Sequence, residues 1–291
     1  MPSSRHCRIA ELGGITAMLG SLDGEKGHLE LFSENNLVIK KAEKLIKKIF
    51  PVDNTAKIIY DIKRSGKEYG RIVFSKKETE EVLKLLKMNA KLETKPMLYT
   101  LTCCKRSFLR GAFLALGTLT DPNKDYHFEI ACNNSHSADE LKEIICGFGI
   151  DAKEVERRSK YVVYIKDSEM ISELLSIIGA QVAMMELENV KILKGVRNYV
   201  NRQVNCDSAN IKKTLAASQK QIEDIALIRK MDEFKGLSDE LKETAVLRET
   251  YPEATLAELV MYNGENVGKS GINHRLKKLS EIADKLRDGR V

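Results

Sequence analysis

Residues 104–122, Cys-Lys-Arg-Ser-Phe-Leu-Arg-Gly-Ala-Phe-Leu-Ala-Leu-Gly-Thr-Leu-Thr-Asp-Pro, recur near the amino terminus, and that recurrence decides the fold. The copy spans 7–22. Cys7, Leu12, Gly14, Gly20 and Leu22 stand in register with Cys104, Leu109, Gly111, Gly117 and Leu119 at a constant offset of 97 residues. Each copy reads as one short helix. Gly13, Gly14 and Ala17 in the first, and Gly111, Ala112 and Ala115 in the second, recur at spacings of three and four, so they share one helical face. A face of small residues lets two helix backbones approach closely. The two copies are therefore expected to pack on each other at a pseudo-two-fold axis, with half a domain hanging from each.

Working outward, the same programme follows each copy. In the first half a turn (Asp23-Gly24-Glu25-Lys26-Gly27) leads to a strand over 28–31, and an amphipathic helix over 36–50 is stopped by Pro51. Two strands, 57–64 and 69–75, then pair across Ser65-Gly66-Lys67-Glu68. In the first of them Ile58, Tyr60 and Ile62 alternate with Lys57, Asp61 and Lys63. Ser75 with Glu78 spells a capping box for a helix to about Met88. The second half offers a turn at Asp121-Pro122-Asn123-Lys124 and a strand over 127–130 at an offset of 99. A helix over 137–148, strands near 152–158 and 161–166 and a helix opened by Asp167 complete it. The unit reads helix, strand, helix, strand, strand, helix, with a further strand expected around the first turn. The repeats fall at about 5–100 and 101–195, and residues 181–199 read as a connecting helix.

With 291 residues, 43% hydrophobic and 31% charged, the chain suits about two soluble domains. No apolar run approaches the roughly 18 residues of a membrane span. The amino terminus lacks a signal-peptide core, so the chain is expected in the cytoplasm. Six cysteines without a CxxC pair, mostly beside apolar positions, suggest reduced, buried thiols. His6, Cys7, Cys103 and Cys104 could join at a zinc across the helix seam, but adjacent donor pairs are not a familiar zinc spacing. Core packing is the expectation there, with no metal and no cofactor. Residues 40–110 hold 19 Lys or Arg against 8 Asp or Glu, a balance of +11, and residues 111–200 hold 10 against 14, a balance of −4. A basic first half favours a polyanion.

The carboxy-terminal part reads as all-α. Asn201-Arg202-Gln203-Val204-Asn205-Cys206-Asp207 leads into a helix to about Arg229, with Asp207 or Ser208 as its cap. Lys235-Gly236-Leu237 breaks the chain, and Ser238 caps a helix to Thr250 that Tyr251-Pro252 stops. Thr255 with Glu258 makes a second capping box for a short helix to Tyr262. After a polar turn over 263–268, Ser270 is expected to cap a last helix to about Arg287. A short second helix and a basic third define a helix-turn-helix unit. Ile272, Leu276, Leu279, Ile282 and Leu286 make the buried stripe, leaving Ser270, His274, Lys277 and Lys278 outward with Asn273 and Arg275 on the rim. Short polar side chains at a helix amino end suit base edges, and the lysines and the positive helix end suit phosphate. Residues 201–291 carry 16 basic against 15 acidic groups, so any attraction for DNA must come from this local clustering.

Paired glycine-containing helices opening two αβ repeats resemble the LAGLIDADG homing endonuclease fold. The nonapeptides are Leu12-Gly13-Gly14-Ile15-Thr16-Ala17-Met18-Leu19-Gly20 and Leu109-Arg110-Gly111-Ala112-Phe113-Leu114-Ala115-Leu116-Gly117. The resemblance places the metal-binding acids of the endonucleases where this chain has Leu19 and Leu116. Phosphodiester cleavage by that fold needs carboxylates to hold divalent metal, and leucine cannot serve. Asp23 and Asp121, in turns beyond each helix, are poor substitutes. Over nearly its full length the chain resembles the WhiA family, through residues 104–122, 201–210 and 267–276. It implies an α+β chain: a degenerate LAGLIDADG-like domain, 1–195, and a helix-turn-helix domain, 201–291. It also implies a cytoplasmic, nucleoid-associated transcriptional regulator of sporulation and cell division that binds double-stranded promoter DNA and is no enzyme. The base-reading set is then Ser270, Asn273, His274, Arg275, Lys277 and Lys278, with secondary phosphate contacts from Lys57, Lys63 and Arg71. A protein partner suits the LAGLIDADG-like domain equally well. The alternatives are an active endonuclease, an RNA-binding module, and a scaffold in cell division or chromosome segregation without direct gene regulation.

Overall fold

From the amino end the chain forms α1 (Arg5–Leu19), β1 (Gly20–Asp23), β2 (His28–Ser33), α2 (Asn36–Ile49), β3 (Lys57–Ile62), β4 (Glu68–Val73) and α3 (Lys76–Leu85). After a 3-10 turn at Pro96–Leu98 it repeats the order as α4 (Thr102–Leu116), β5 (Gly117–Leu119), β6 (Phe128–Cys132), α5 (Ser135–Cys146), β7 (Lys153–Arg157), β8 (Lys160–Ile165) and α6 (Ser168–Ile177). Then come α7 (Gln181–Lys230), α8 (Asp239–Thr250), α9 (Leu256–Asn263) and α10 (Lys269–Arg287). This computed structural model describes residues 1–24, 26–50, 56–62, 68–157, 160–264 and 267–289. The chain divides into two units, Met1–Leu193 and Lys194–Val291.

Both seam helices stop one residue before their last glycine, earlier than expected. Gly20 and Gly117 take extended backbone, and β1 and β5 begin there. A Cβ at either position would lie 2.4 or 2.5 Å from the carbonyl oxygen of Thr16 or Phe113, so only glycine lets the chain leave the helix this tightly. Residues 20–22, expected as helix, thus supply the missing strand, with Leu22 opposite Leu29. Each repeat makes one antiparallel four-stranded sheet, in the orders β1-β2-β4-β3 and β5-β6-β8-β7. The identical order carries the pseudo-symmetry.

Strand alternation turns Leu29, Leu31 and Ile72 in one sheet, and Phe128, Ile130, Val163 and Ile165 in the other, into a core shared with α1, α2, α4, α5 and α6. At the seam the backbones nearly touch. A Cβ on Gly14 would stand 2.2 Å from the Phe108 oxygen, and one on Gly111 2.1 Å from the Glu11 oxygen. Fully buried Glu11 receives Lys41 of α2 at 2.9 Å and Arg110 of α4 at 3.0 Å. A buried carboxylate is tolerated only with such partners, so the ion triad fixes α1, α2 and α4 to one another.

The Ser75–Glu78 capping box forms, but α3 ends at Leu85 rather than Met88, because Lys87 takes a left-handed backbone (φ 54°) that no helix continues. Asn134 caps α5 by accepting from the Ser137 amide, two residues ahead of the expected start, and Asp167 caps α6 as expected. Pro51, Lys63, Arg64 and residues 65–67, which carried expectations about helix stop, strand and turn, lie outside the described residues.

The expected helix start at Asp207 or Ser208 does not exist. Residues 181–230 form one helix, and 201–210 lie exposed along it. No Gly or Pro occurs from Val196 to Lys230, so capping side chains have nothing to interrupt and propagation wins. In the carboxy-terminal unit Ile225 and Ile228 of α7 pack with Leu241 and Ala245 of α8, Leu259 of α9, and Ile272, Leu276, Leu279 and Ala283 of α10. Arg248 is buried there. Its guanidinium donates to the Ala254 carbonyl at 2.7 Å, the Tyr251 carbonyl at 3.4 Å and Ser218 Oγ at 3.3 Å, tying the α8–α9 turn to α7. Burial pulls this guanidinium below the usual arginine range.

Candidate nucleic-acid interface

α10 begins two residues earlier than expected. Gly268, not Ser270, occupies the cap position, and Ser270 sits exposed in the first turn beside Lys269. The buried stripe forms from Ile272, Leu276, Leu279 and Leu286, with Ala283 added and Ile282 only partly buried. On the opposite face His274, Lys277 and Lys278 are exposed, as the 3.6-residue period requires. Asn273 is half-buried and lines a groove of about 370 Å³ with Lys213 and Gln221 of α7, Thr255 at the start of α9, and Lys269. Lys213 and Lys269 were missed by sequence reasoning: Lys269 adjoins the expected cap, but Lys213 is brought in from α7 with no local signal. Arg275 turns away from this set. Its side chain is 13% exposed and Nη2 lies 3.7 Å from Glu240 of α8, so it braces α10 against α8.

Two sheets present outward faces, and their charges reverse the sequence expectation. In the first, strand pairing puts Asp23, Glu30 and Asp61 on the same side as Lys57, Arg71 and His28. Arg71 lies 3.8 Å from Glu30, and Tyr69 donates to Asp61 at 3.3 Å. In the second, Lys153, Arg157 and Lys160 share the outward side with one acid among the described strand residues, Glu129, 3.7 Å from Arg157. The lysines behind the +11 balance ride largely on helices, among them Lys40, Lys41, Lys44, Lys47 and Lys48 of α2. A segment total therefore mispredicts a face. Of the expected phosphate contacts, Lys57 and Arg71 lie on a mixed surface and Lys63 lies outside the described residues.

At the carboxy ends of the seam helices Leu19 and Leu116 are partly buried against the core. Asp23 Oδ1 accepts the Lys26 amide at 3.1 Å, and Asp121 Oδ1 accepts the Asn123 amide at 2.9 Å, so both serve as turn residues. No helix among the described residues is long and apolar enough to cross a membrane.

A glycine-seamed, two-repeat α+β domain followed by a helical unit defines a LAGLIDADG-like fold joined to a helix-turn-helix module. The model of the WhiA LAGLIDADG-like domain matches residues 105–197, and that of the WhiA C-terminal HTH domain matches 200–283. Two curated relatives are named "Probable cell division protein WhiA". That of Lachnoclostridium phytofermentans is 43% identical over 99% of this chain and 95% of its own, and that of Lachnospira eligens 39% over 98% and 93%. The crystal structure of full-length DUF199/WhiA from Thermatoga maritima superposes with a TM-score of 0.61 at 27% identity, covering 98% of this chain and 94% of that one. The chain belongs to the WhiA family.

Proposed function

We propose that this chain is a sequence-specific DNA-binding transcriptional regulator, acting in cell division or sporulation, that reads duplex promoter sites through α10 and has no nuclease activity. One observation carries the reading. α10 buries Ile272, Leu276, Leu279 and Ala283 while presenting Ser270, His274, Lys277 and Lys278 on the other side, beside a groove holding Lys213, Lys269 and Asn273. That combination of polar and cationic groups on a helix held rigidly from behind matches major-groove recognition. The name of its relatives supports a role in cell division. Domain 201–291 is assigned the readout. Domain 1–195 is assigned secondary phosphate contacts, now through Lys153, Arg157 and Lys160 more than through Lys57 and Arg71, while the mixed face of the first sheet suits a protein partner.

Band-shift titration of the full chain against genomic fragments at several salt concentrations tests the proposal. A discrete set of fragments should be retained, with log affinity falling linearly in log salt. Equal affinity for all duplexes, or a preference for RNA, would sink it. Bound promoters whose reporters do not respond to the protein would favour the scaffold reading instead. Supercoiled plasmid with magnesium or manganese should stay uncut, since leucines stand where the fold's metal acids belong. Nicking that disappears in Asp23→Ala or Asp121→Ala would overturn that part.

A further inference from the structure

The amino ends of α1 and α4 bring four metal-ligand side chains into one cluster. His6 and Cys7 stand in the first turn of α1, and Cys103 and Cys104 in the first turn of α4, related by the 97-residue offset that relates the helices. Nδ1 of His6 lies 3.1 Å from Cys104 Sγ, 3.4 Å from Cys7 Sγ and 4.0 Å from Cys103 Sγ. All four donor atoms lie within 4.8 Å of one another. Core packing was the expectation for these residues, and it fails for half of them. Cys7 and Cys104 are buried, but His6 and Cys103 are exposed, so the cluster straddles the surface and has an open side through which an ion can enter.

The separations fit a tetrahedron. With Zn–S near 2.3 Å and Zn–N near 2.0–2.1 Å, ideal tetrahedral geometry puts nitrogen about 3.5 Å from each sulfur and the sulfurs about 3.8 Å apart. The three nitrogen–sulfur distances scatter on both sides of that value and no sulfur pair is wider than 4.8 Å, so shifts of up to about 1 Å in side chains at the surface would close the set. Two helix amino ends also aim positive dipole ends at the sulfurs, which opposes the burial that raises the Cys104 thiol. Adjacent residues on one helix point about 100° apart, so neither pair makes a site by itself. Parallel helices in near-backbone contact change this, because each donates its seam-facing pair to the same point.

We propose that His6, Cys7, Cys103 and Cys104 form a closed structural Cys3His site for a soft divalent cation of the zinc class, clamping the two repeats together at the amino end of the seam. On binding, each coordinating thiol gives up its proton to solvent and its sulfur lone pair to the ion, while neutral imidazole contributes Nδ1 with the proton on Nε2. Four protein donors fill the shell, so the site holds and does not catalyse. It lies at the opposite helix end from Leu19 and Leu116, where the endonuclease resemblance places catalytic metal.

The test uses the full chain, isolated under reducing conditions and analysed for metal, then stripped with chelator and titrated with zinc or cobalt(II). About one zinc per chain is expected, with the thiolate-to-cobalt charge-transfer and ligand-field bands of a tetrahedral site. Chelator should lower the melting temperature of the protein and zinc should restore it. Exposed positions give the safest variants. Cys103→Ser and His6→Ala should each weaken zinc at least about 100-fold, since even outer-shell changes cost 10–100-fold. Two results would overturn the proposal: reduced chain that takes up no zinc and shows no cobalt spectrum, or uptake unchanged in both variants.

Discussion

A Gly111→Leu chain is expected to lose at least ~4 kcal/mol of stability and, at ordinary growth temperature, much of its soluble yield. The obstacle is backbone. A Cβ at this position meets the Glu11 carbonyl oxygen at 2.1 Å and the Ile15 amide nitrogen at 3.1 Å, where ordinary contacts need well over 3 Å. Overpacking typically costs about 1–3 kcal/mol when side chains can yield. Here two helices must part, and parting them pulls Arg110 from fully buried Glu11. Breaking a buried ion pair adds roughly 3–5 kcal/mol when its remaining charge stays buried. Lys41 still reaches Glu11 at 2.9 Å, so the lower end of that range applies. Against total stabilities of about 5–15 kcal/mol such a loss is severe. Gly195→Ala is the matching control. Gly195 sits inside α7 with nothing within 4 Å of its would-be Cβ, and removing a mid-helix glycine should stabilise by ~0.5–1 kcal/mol. Urea unfolding of the two variants checks both signs, and a Gly111→Leu midpoint near that of the parent would disprove the close seam.

The seam could be read from the chain because it rests on repetition and helical period, both local. So could the capping boxes Ser75–Glu78 and Thr255–Glu258, whose reciprocal hydrogen bonds form as spelled. Other features depend on partners distant in sequence. Gly20 is compatible with a continuing helix or a strand start, and only Leu31 across the ladder decides. Asp207 is a good cap that never caps, since cap preference acts only where a helix has a reason to begin. Three of the six cysteines, expected as buried thiols, are exposed: Cys103, Cys146 and Cys206. The charge reversal between the two sheets arises because a sum over residues 40–110 adds helix lysines to strand residues that face elsewhere. Within the interface the exposed stripe of α10 followed from period alone. The inward turn of Arg275, and the meeting of Lys213 with Asn273, required the helix packing itself.

On duplex DNA the variants of α10 are expected to separate into three classes. His274→Ala and Asn273→Ala should each lose roughly 1–3 kcal/mol on a cognate site, about 5- to 150-fold, and little on random sequence, because short polar groups at the helix amino end reach base edges. Lys277→Ala and Lys278→Ala should weaken cognate and random DNA alike and lower the salt slope by about 1 each, since an exposed lysine there meets phosphate. Arg275→Ala belongs to neither class while its guanidinium stays with Glu240. That pair joins a largely buried cation to an acid whose side chain is 71% exposed, so the electrostatic term is small and mainly positional. Glu240→Ala distinguishes the roles. If Arg275 reads a base, freeing it should strengthen cognate binding, whereas a bracing Arg275 predicts no gain and a small loss of stability. The rival reader is the outward face of the second sheet. A triple Lys153→Ala, Arg157→Ala, Lys160→Ala chain should bind every duplex somewhat less tightly, with its preference among sequences intact. Should that triple variant erase sequence preference while His274→Ala and Asn273→Ala preserve it, base readout belongs to the sheets of the LAGLIDADG-like domain, and α10 serves only to hold the backbone.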